Sequence, residues 1–305
     1  MYKLSILFSV IIAMQACTGQ SPKIKGVSYV ASGDATTEAQ VAKVTALNAN
    51  YAAVMPFGFI RDLNTPEIVF NTERQWYGER LDGVTQYVEK LHEQDLKVMM
   101  KPQIWIWRGE FTGYLTMDSE EDWIILEESY KAFILLYAEL ASELNVEIFC
   151  IGTELELFIV QRPKFWDDLI SEVKSIYRGK LTYAANWDEY TRVPFWSDLD
   201  YIGVDGYFPV SEEQTPTVAV AKKGWQPWKA EMKRLSDSVN RPILFTEYGY
   251  RNIDYAGKEP WKSDRSDIGH NNVAQVNLYH AFFEEIHPEP WFAGSFIWKW
   301  FIDHE

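Results

Sequence analysis

Eight short apolar runs, alternating with amphipathic helical patterns, predict an α/β fold, a single (β/α)8 TIM barrel. A second observation supports one domain. No Pro/Gly/Ser-rich linker, low-complexity tract or internal repeat interrupts the 305 residues, and 47% of them are hydrophobic, enough for a full core. A doubly wound open sheet is the competing architecture, but no G-x-G-x-x-G follows the first strand and no P-loop occurs.

The strands are expected at 24–30, 51–56, 96–101, 147–152, 181–185, 201–205, 243–246 and 293–298. Helical periodicity falls between them at 37–47, 82–94, 120–144, 163–177, 217–239 and 271–286. Thr36 or Thr37 before the first helix, and Asp118-Ser119 before the third, are residue types whose side-chain oxygens accept the free N–H groups of a helix start. The link 187–199 between the fifth and sixth strands admits only a short helix. The chain stops at Glu305, barely past the eighth strand, so the usual closing eighth helix is expected to be absent from a barrel domain spanning 24–305.

The net charge of -15 argues against nucleic acid or an anionic membrane surface as partner, since both demand a basic face. Aromatic residues make up 15% of the chain, with 13 Trp, and many follow the strand runs, where exposed rings suit the apolar faces of sugars. Neither a metal nor another cofactor is expected: there is no H-E-x-x-H, and the histidines at 92, 270, 280, 287 and 304 lack i, i+4 ligand spacing. No G-x-S-x-G elbow serves a serine hydrolase, and the acidic run 118–122 reads as a helix start rather than a calcium loop.

Lys3 and the apolar stretch 4–14 read as an export signal, too short for a permanent membrane span. Met14-Gln-Ala-Cys17 resembles a bacterial lipobox. Residues 1–16 are therefore expected to be cleaved as a lipoprotein-type signal peptide, Cys17 to be lipidated, and 17–23 to form a short tether; an ordinary signal peptide cut nearby is the alternative. The chain is then an exported lipoprotein of the outer-membrane surface or periplasm, touching the membrane only through its anchor. Cys150, the other cysteine, falls in a core strand, so no intramolecular disulfide is expected.

Two apolar runs each end in a lone glutamate, Phe149-Cys-Ile-Gly-Thr-Glu154 and Ile243-Leu-Phe-Thr-Glu247. A carboxylate at the end of a core strand is costly to desolvate, and the carboxyl ends of barrel strands are where active sites form. Alternation puts Cys150, Gly152 and Glu154 on one face of the fourth strand, and Ile243, Phe245 and Glu247 on one face of the seventh. Two such residues suggest an acid and a nucleophile, the pair glycosidases place on either side of a glycosidic bond. Glu156 is the rival of Glu154.

By the same parity Lys101 and Gln103 point together into the mouth after the third strand, with Trp105 and Trp107 following. Lys101 either binds a sugar hydroxyl, neutralises the carboxylates or forms a silent salt bridge. Asn186, after Thr182 and Ala184 on the fifth strand, either reaches sugar hydroxyls or closes an Asx turn. On the sixth strand Ile202 and Val204 face the helices, and Asp205 and Tyr207 face the barrel unless Tyr207 is a packed loop aromatic.

Ile-Gly-Thr-Glu154-Leu-Glu, Phe-Thr-Glu247-Tyr-Gly-Tyr-Arg and Phe-Ile-Trp298-Lys-Trp resemble glycoside hydrolase family 113, within the large clan of retaining barrel glycosidases, over about residues 24–303. The resemblance implies a β-mannanase or β-mannosidase acting by double displacement on β-1,4-linked mannose-containing sugars. Glu154 would be acid/base, Glu247 nucleophile, Trp298 the ring beneath the sugar and Tyr207 the donor that holds the nucleophile ionised. The clan usually has Asn before the acid/base, whereas this chain has Thr153, so another group must meet the sugar 2-hydroxyl. Two alternatives stand: another β-glycosidase of the clan, acting on glucan, xylan or galactan, or a non-catalytic glycan-binding lipoprotein.

Overall fold

The computed structural model describes residues 22–262 and 269–303. The expected signal peptide, Cys17 and most of the expected tether lie outside them. Among the described residues the strands are β1 (Ile24–Val30), β2 (Tyr51–Val54), β3 (Phe57–Ile60), β4 (Val69–Phe70), β5 (Lys97–Met100), β6 (Gln103–Ile106), β7 (Ile148–Thr153), β8 (Lys180–Asn186), β9 (Ile202–Asp205), β10 (Ile243–Tyr248) and β11 (Phe292–Phe301). The helices are α1 (Glu38–Thr45), α2 (Leu81–His92), α3 (Glu120–Glu143), α4 (Glu156–Gln161), α5 (Pro163–Ile176), α6 (Val218–Val239) and α7 (Asn272–Glu285). Eight strands close a parallel (β/α)8 barrel in the order β1-β2-β5-β7-β8-β9-β10-β11, as expected.

Helix starts follow local chemistry. The Thr37 hydroxyl accepts the Gln40 N–H, and Gln40 returns the bond to the Thr37 N–H, a reciprocal capping box at α1. Ser119 caps α3 by accepting the Asp122 N–H at 3.1 Å, and Pro163 opens α5 where its missing N–H costs nothing. Among the described residues no helix is long and apolar enough to cross a membrane.

The core has two shells. Ile24, Ala53, Met99, Ile148, Leu244 and Phe296 fill the lower lumen, where Gly26 is required because an added Cβ would lie 2.2 Å from the Phe296 ring. A larger layer between strands and helices includes Tyr130, Trp166, Tyr183, Phe208 and Phe245. Burial of each such ring contributes roughly 1.5–3 kcal/mol.

Four details go beyond the expected alternation of strand and helix. The runs after β2 and β5 form a small accessory sheet, β4-β3-β6, beside the mouth, and α4 follows β7 directly. The 187–199 link holds two 3-10 turns, Tyr190–Arg192 and Trp196–Asp198. Closure of the ring is supplied by β11 itself, which pairs with β1 from Ile24 opposite Gly294 to Val30 opposite Phe301.

Candidate active site

Strict alternation does not carry the two glutamates to the mouth; bulges do. On β10, Ile243 and Phe245 pack in the outer layer, so parity alone would send Glu247 outward with them. Its pairing with β9 slips between Phe245 and Glu247, and both Thr246 and Glu247 turn into the lumen, where Thr246 donates to Asp205 at 2.7 Å. On β7 the register with β8 slips between Cys150 and Thr153. Gly152 there faces outward, because an added Cβ would meet the Tyr130 hydroxyl at 2.5 Å and Trp166 at 3.0 Å. The shared faces expected for Cys150, Gly152 and Glu154, and for Ile243, Phe245 and Glu247, are therefore corrected.

Glu154 sits just past β7 with φ +50°, a left-handed conformation that costs a non-glycine residue about 1–3 kcal/mol. Surrounding bonds pin it. Its N–H donates to the Ala184 carbonyl at 2.8 Å, the next N–H, of Leu155, to the Tyr183 hydroxyl at 2.6 Å, and Tyr130 donates to the Ile151 carbonyl at 2.8 Å.

Glu247 is 7% exposed. Its Oε1 accepts Lys101 Nζ at 2.5 Å and Gln103 Nε2 at 3.0 Å, while Oε2 accepts the Tyr207 hydroxyl at 2.9 Å. The Lys101 ammonium also reaches the two Asp205 oxygens at 3.1 and 3.2 Å. Burial alone would lower the Lys101 pKa, but Asp205 and Glu247 outweigh it and raise it. Burial, then Glu247, pushes Asp205 up to about 7 against the opposing pull of Lys101. The Glu154 carboxyl is driven well above the usual carboxylate range, first by burial, then by the negative charges of Asp205 and Glu247.

Lys101 is thus fully enclosed and takes the charge-neutralising option, its three donors spent on two carboxylates. Replacing it by Met should leave those carboxylates uncompensated and destabilise the fold by about 3–5 kcal/mol at neutral pH. The deficit should shrink as pH falls, because the orphaned carboxyls then take up protons. Urea unfolding midpoints at pH 5 and 7.5 check this.

The remaining expected residues spread around the mouth. Gln103 and Trp105 share one face of β6, and Trp105 is 50% exposed while Ile104 and Ile106 are buried. Phe57 and Phe59 of β3 lie opposite Gln103 and Trp105. Trp298 is half-buried in β11, joined to Lys299 by a cis peptide, with the Lys299 ammonium 5.1 Å from its ring centre. Asn186 ends β8 half-buried, and its Oδ1 accepts the adjacent Trp187 N–H at 2.8 Å, one residue short of the bond that defines an Asx turn. Trp187 stacks on Trp261 at 4.9 Å, forming an aromatic surface near that strand end. Thr153 is half-buried with its hydroxyl 3.5 Å from the Pro102 carbonyl. Glu156, in the first turn of α4, pairs with Arg192, 2.9 Å from its Nε.

Asp205 faces the barrel as its parity predicts, but sequence alone assigned it no role; one further residue, Glu189, was not singled out at all. Glu189 lies within the 187–199 link and carried no signal. Among the described residues, no group of three or more His, Cys, Asp or Glu is arranged to hold a metal ion. The site can therefore place a proton-bearing carboxyl and an oriented carboxylate on one mouth, beside exposed aromatic rings.

Comparison with known proteins agrees with this geometry. The profile of Glycoside Hydrolase Family 113 matches residues 30–304. The chain is similar in structure to the family 113 β-mannanase of Alicyclobacillus acidocaldarius in complex with ManMIm, with TM-score 0.81 and 23% identity over 93% of this chain and 88% of that one. A family 113 β-1,4-mannanase in a complex structure gives TM-score 0.78 and 22% identity, covering 92% and 89% of the two chains. The β-glucuronidase of Bifidobacterium dentium is more distant, with TM-score 0.57 and 14% identity over 91% of this chain and 40% of that one. No curated protein sequence matches significantly.

Proposed function

The chain belongs to glycoside hydrolase family 113 and is a glycoside hydrolase with a carbohydrate substrate; we propose that it cleaves β-1,4-linked mannose-containing oligo- or polysaccharides with retention. One observation carries the mechanism. Two carboxyls on the same mouth are held in opposite roles, Glu247 by three donors that fix a carboxylate and Glu154 by burial and neighbouring charge that keep its proton.

In the first step Glu154 protonates the glycosidic oxygen while Glu247 attacks the anomeric carbon and forms a glycosyl-enzyme. In the second, Glu154 takes a proton from water, which opens that bond. Lys101 compensates the buried negative charge, and Tyr207 sets the attacking oxygen's direction. Trp298 supplies the ring beneath the sugar at the cleavage point, and Asn186 lies at the rim, its amide nitrogen available for hydroxyls. Trp105, with Phe59 alongside on β3, offers a stacking face for a further sugar unit.

In this reading Gln103, whose amide nitrogen donates to Glu247 at 3.0 Å, takes the place of the missing Asn and its carbonyl oxygen accepts the sugar 2-hydroxyl. Gln103→Ala should lower kcat/KM on manno-oligosaccharides roughly 30- to 100-fold. The loss should be much smaller on a 2-deoxy substrate, which a comparison of the two rates measures.

The substrate reading is tested by incubating the protein with linear β-1,4 manno-, gluco- and xylo-oligosaccharides and separating the products over time. Cleavage confined to the manno series supports it. Preference for another series, or binding without cleavage by a folded protein, rejects it.

A further inference from the structure

Glu189 is a carboxylate that the proposed reaction leaves idle. It is 1% exposed, and among the described residues no ammonium or guanidinium pairs with it. Burial pushes it up to about 7, with the Asn186 N–H and the Tyr183 hydroxyl pulling the other way. A carboxyl buried without a cation is costly, so its partners indicate what it is for. One oxygen accepts the Tyr183 hydroxyl at 2.9 Å and the other accepts the Asn186 N–H at 3.0 Å. The same Tyr183 oxygen accepts the Leu155 N–H at 2.6 Å, the peptide unit that immediately follows Glu154.

From this chain we infer that Glu189 is a positioning residue for the general acid, acting through Tyr183 to hold the Leu155 peptide and so the strained left-handed backbone of Glu154. Two consecutive hydrogen bonds run from Glu189 to that backbone. The carboxylate makes the Tyr183 oxygen a stronger acceptor for Leu155, since donors and acceptors in a chain polarise one another. The φ of +50° at Glu154 persists only while neighbours over-determine it. Loss of the clamp lets the backbone relax, and a displacement near 1 Å at a reacting group costs up to about 10²-fold in rate. Glu189 is buried with its two oxygens taken by Tyr183 and the Asn186 N–H, so it is placed to act through Tyr183 rather than on the sugar.

The inference rests on Glu154 being the acid, and the test separates the two. In Glu189→Gln the amide still accepts one of the two donors and presents its NH2 to the other, breaking the clamp with little change in volume. kcat/KM on a manno-oligosaccharide, whose leaving group needs a proton, is expected to fall roughly 30- to 100-fold. On the 2,4-dinitrophenyl mannoside, whose leaving group departs unprotonated, it is expected to fall less than about threefold. Tyr183→Phe removes the relay from the other side and should give the same split; it decides the matter if Glu189→Gln does not fold. Glu154→Ala is measured alongside. Equal losses on both substrates, or no loss on either, in a folded variant would overturn the positioning role while Glu154→Ala shows the split. If Glu154→Ala itself lacks the split, the acid assignment and the inference fall together.

Discussion

Glu247→Ala is expected to abolish turnover, lowering kcat on the order of 10⁵-fold or more. The reason is the loss of the only atom able to bond the anomeric carbon in the proposed first step. The variant should still fold, because Lys101 keeps its two contacts to Asp205. Azide added to the emptied site should restore cleavage of the 2,4-dinitrophenyl mannoside and yield the α-glycosyl azide, since the small anion attacks from the side that Glu247 held. Turnover of a natural oligosaccharide by this variant at the wild-type rate would remove Glu247 from the mechanism.

Glu154→Ala should act differently. Its kcat/KM on manno-oligosaccharides is expected to fall about 10³- to 10⁴-fold, while the dinitrophenyl substrate is spared in the first step. In the second step the missing base slows water, so glycosyl-enzyme accumulates and azide accelerates its breakdown, giving the β-azide. The pH dependence follows from sign. The Glu154 pKa is raised, so the protonated acid persists toward neutral pH and kcat/KM declines as pH rises through that value. With the activated substrate that alkaline limb should vanish from the variant's profile, which a pH series measures directly.

Much of this arrangement was legible in the sequence, for a physical reason. Barrel strands are short apolar runs with polar residues at their carboxyl ends, so their order, and the positions of Glu154, Glu247 and Tyr207 at the mouth, follow from pattern alone. What alternation could not supply was which way those residues point. The register slips in β7 and β10 depend on tertiary fit, such as the aromatic wall that leaves no room for a side chain at Gly152, and a period-2 pattern contains no trace of them. The accessory sheet escaped notice because β3 and β6 begin directly after β2 and β5 with only two residues between, and β4 is two residues long. Lys101 was visible as a mouth residue, but whether its ammonium met sugar or carboxylate depended on Asp205, contributed by a strand more than a hundred positions away. Glu189 was illegible altogether: it follows Asn186 in an irregular link, and its meaning comes only from the Tyr183 hydroxyl it accepts.

The central claim is retaining hydrolysis of a β-1,4-mannosidic bond by these two glutamates, and proton NMR of β-1,4-mannohexaose during the first minutes of digestion tests it most directly. Anomeric signals of the newly formed reducing ends should appear first as the β form and equilibrate later toward α. Initial appearance of the α form would show a single inverting displacement and would contradict the assignment of Glu247 as a covalent nucleophile.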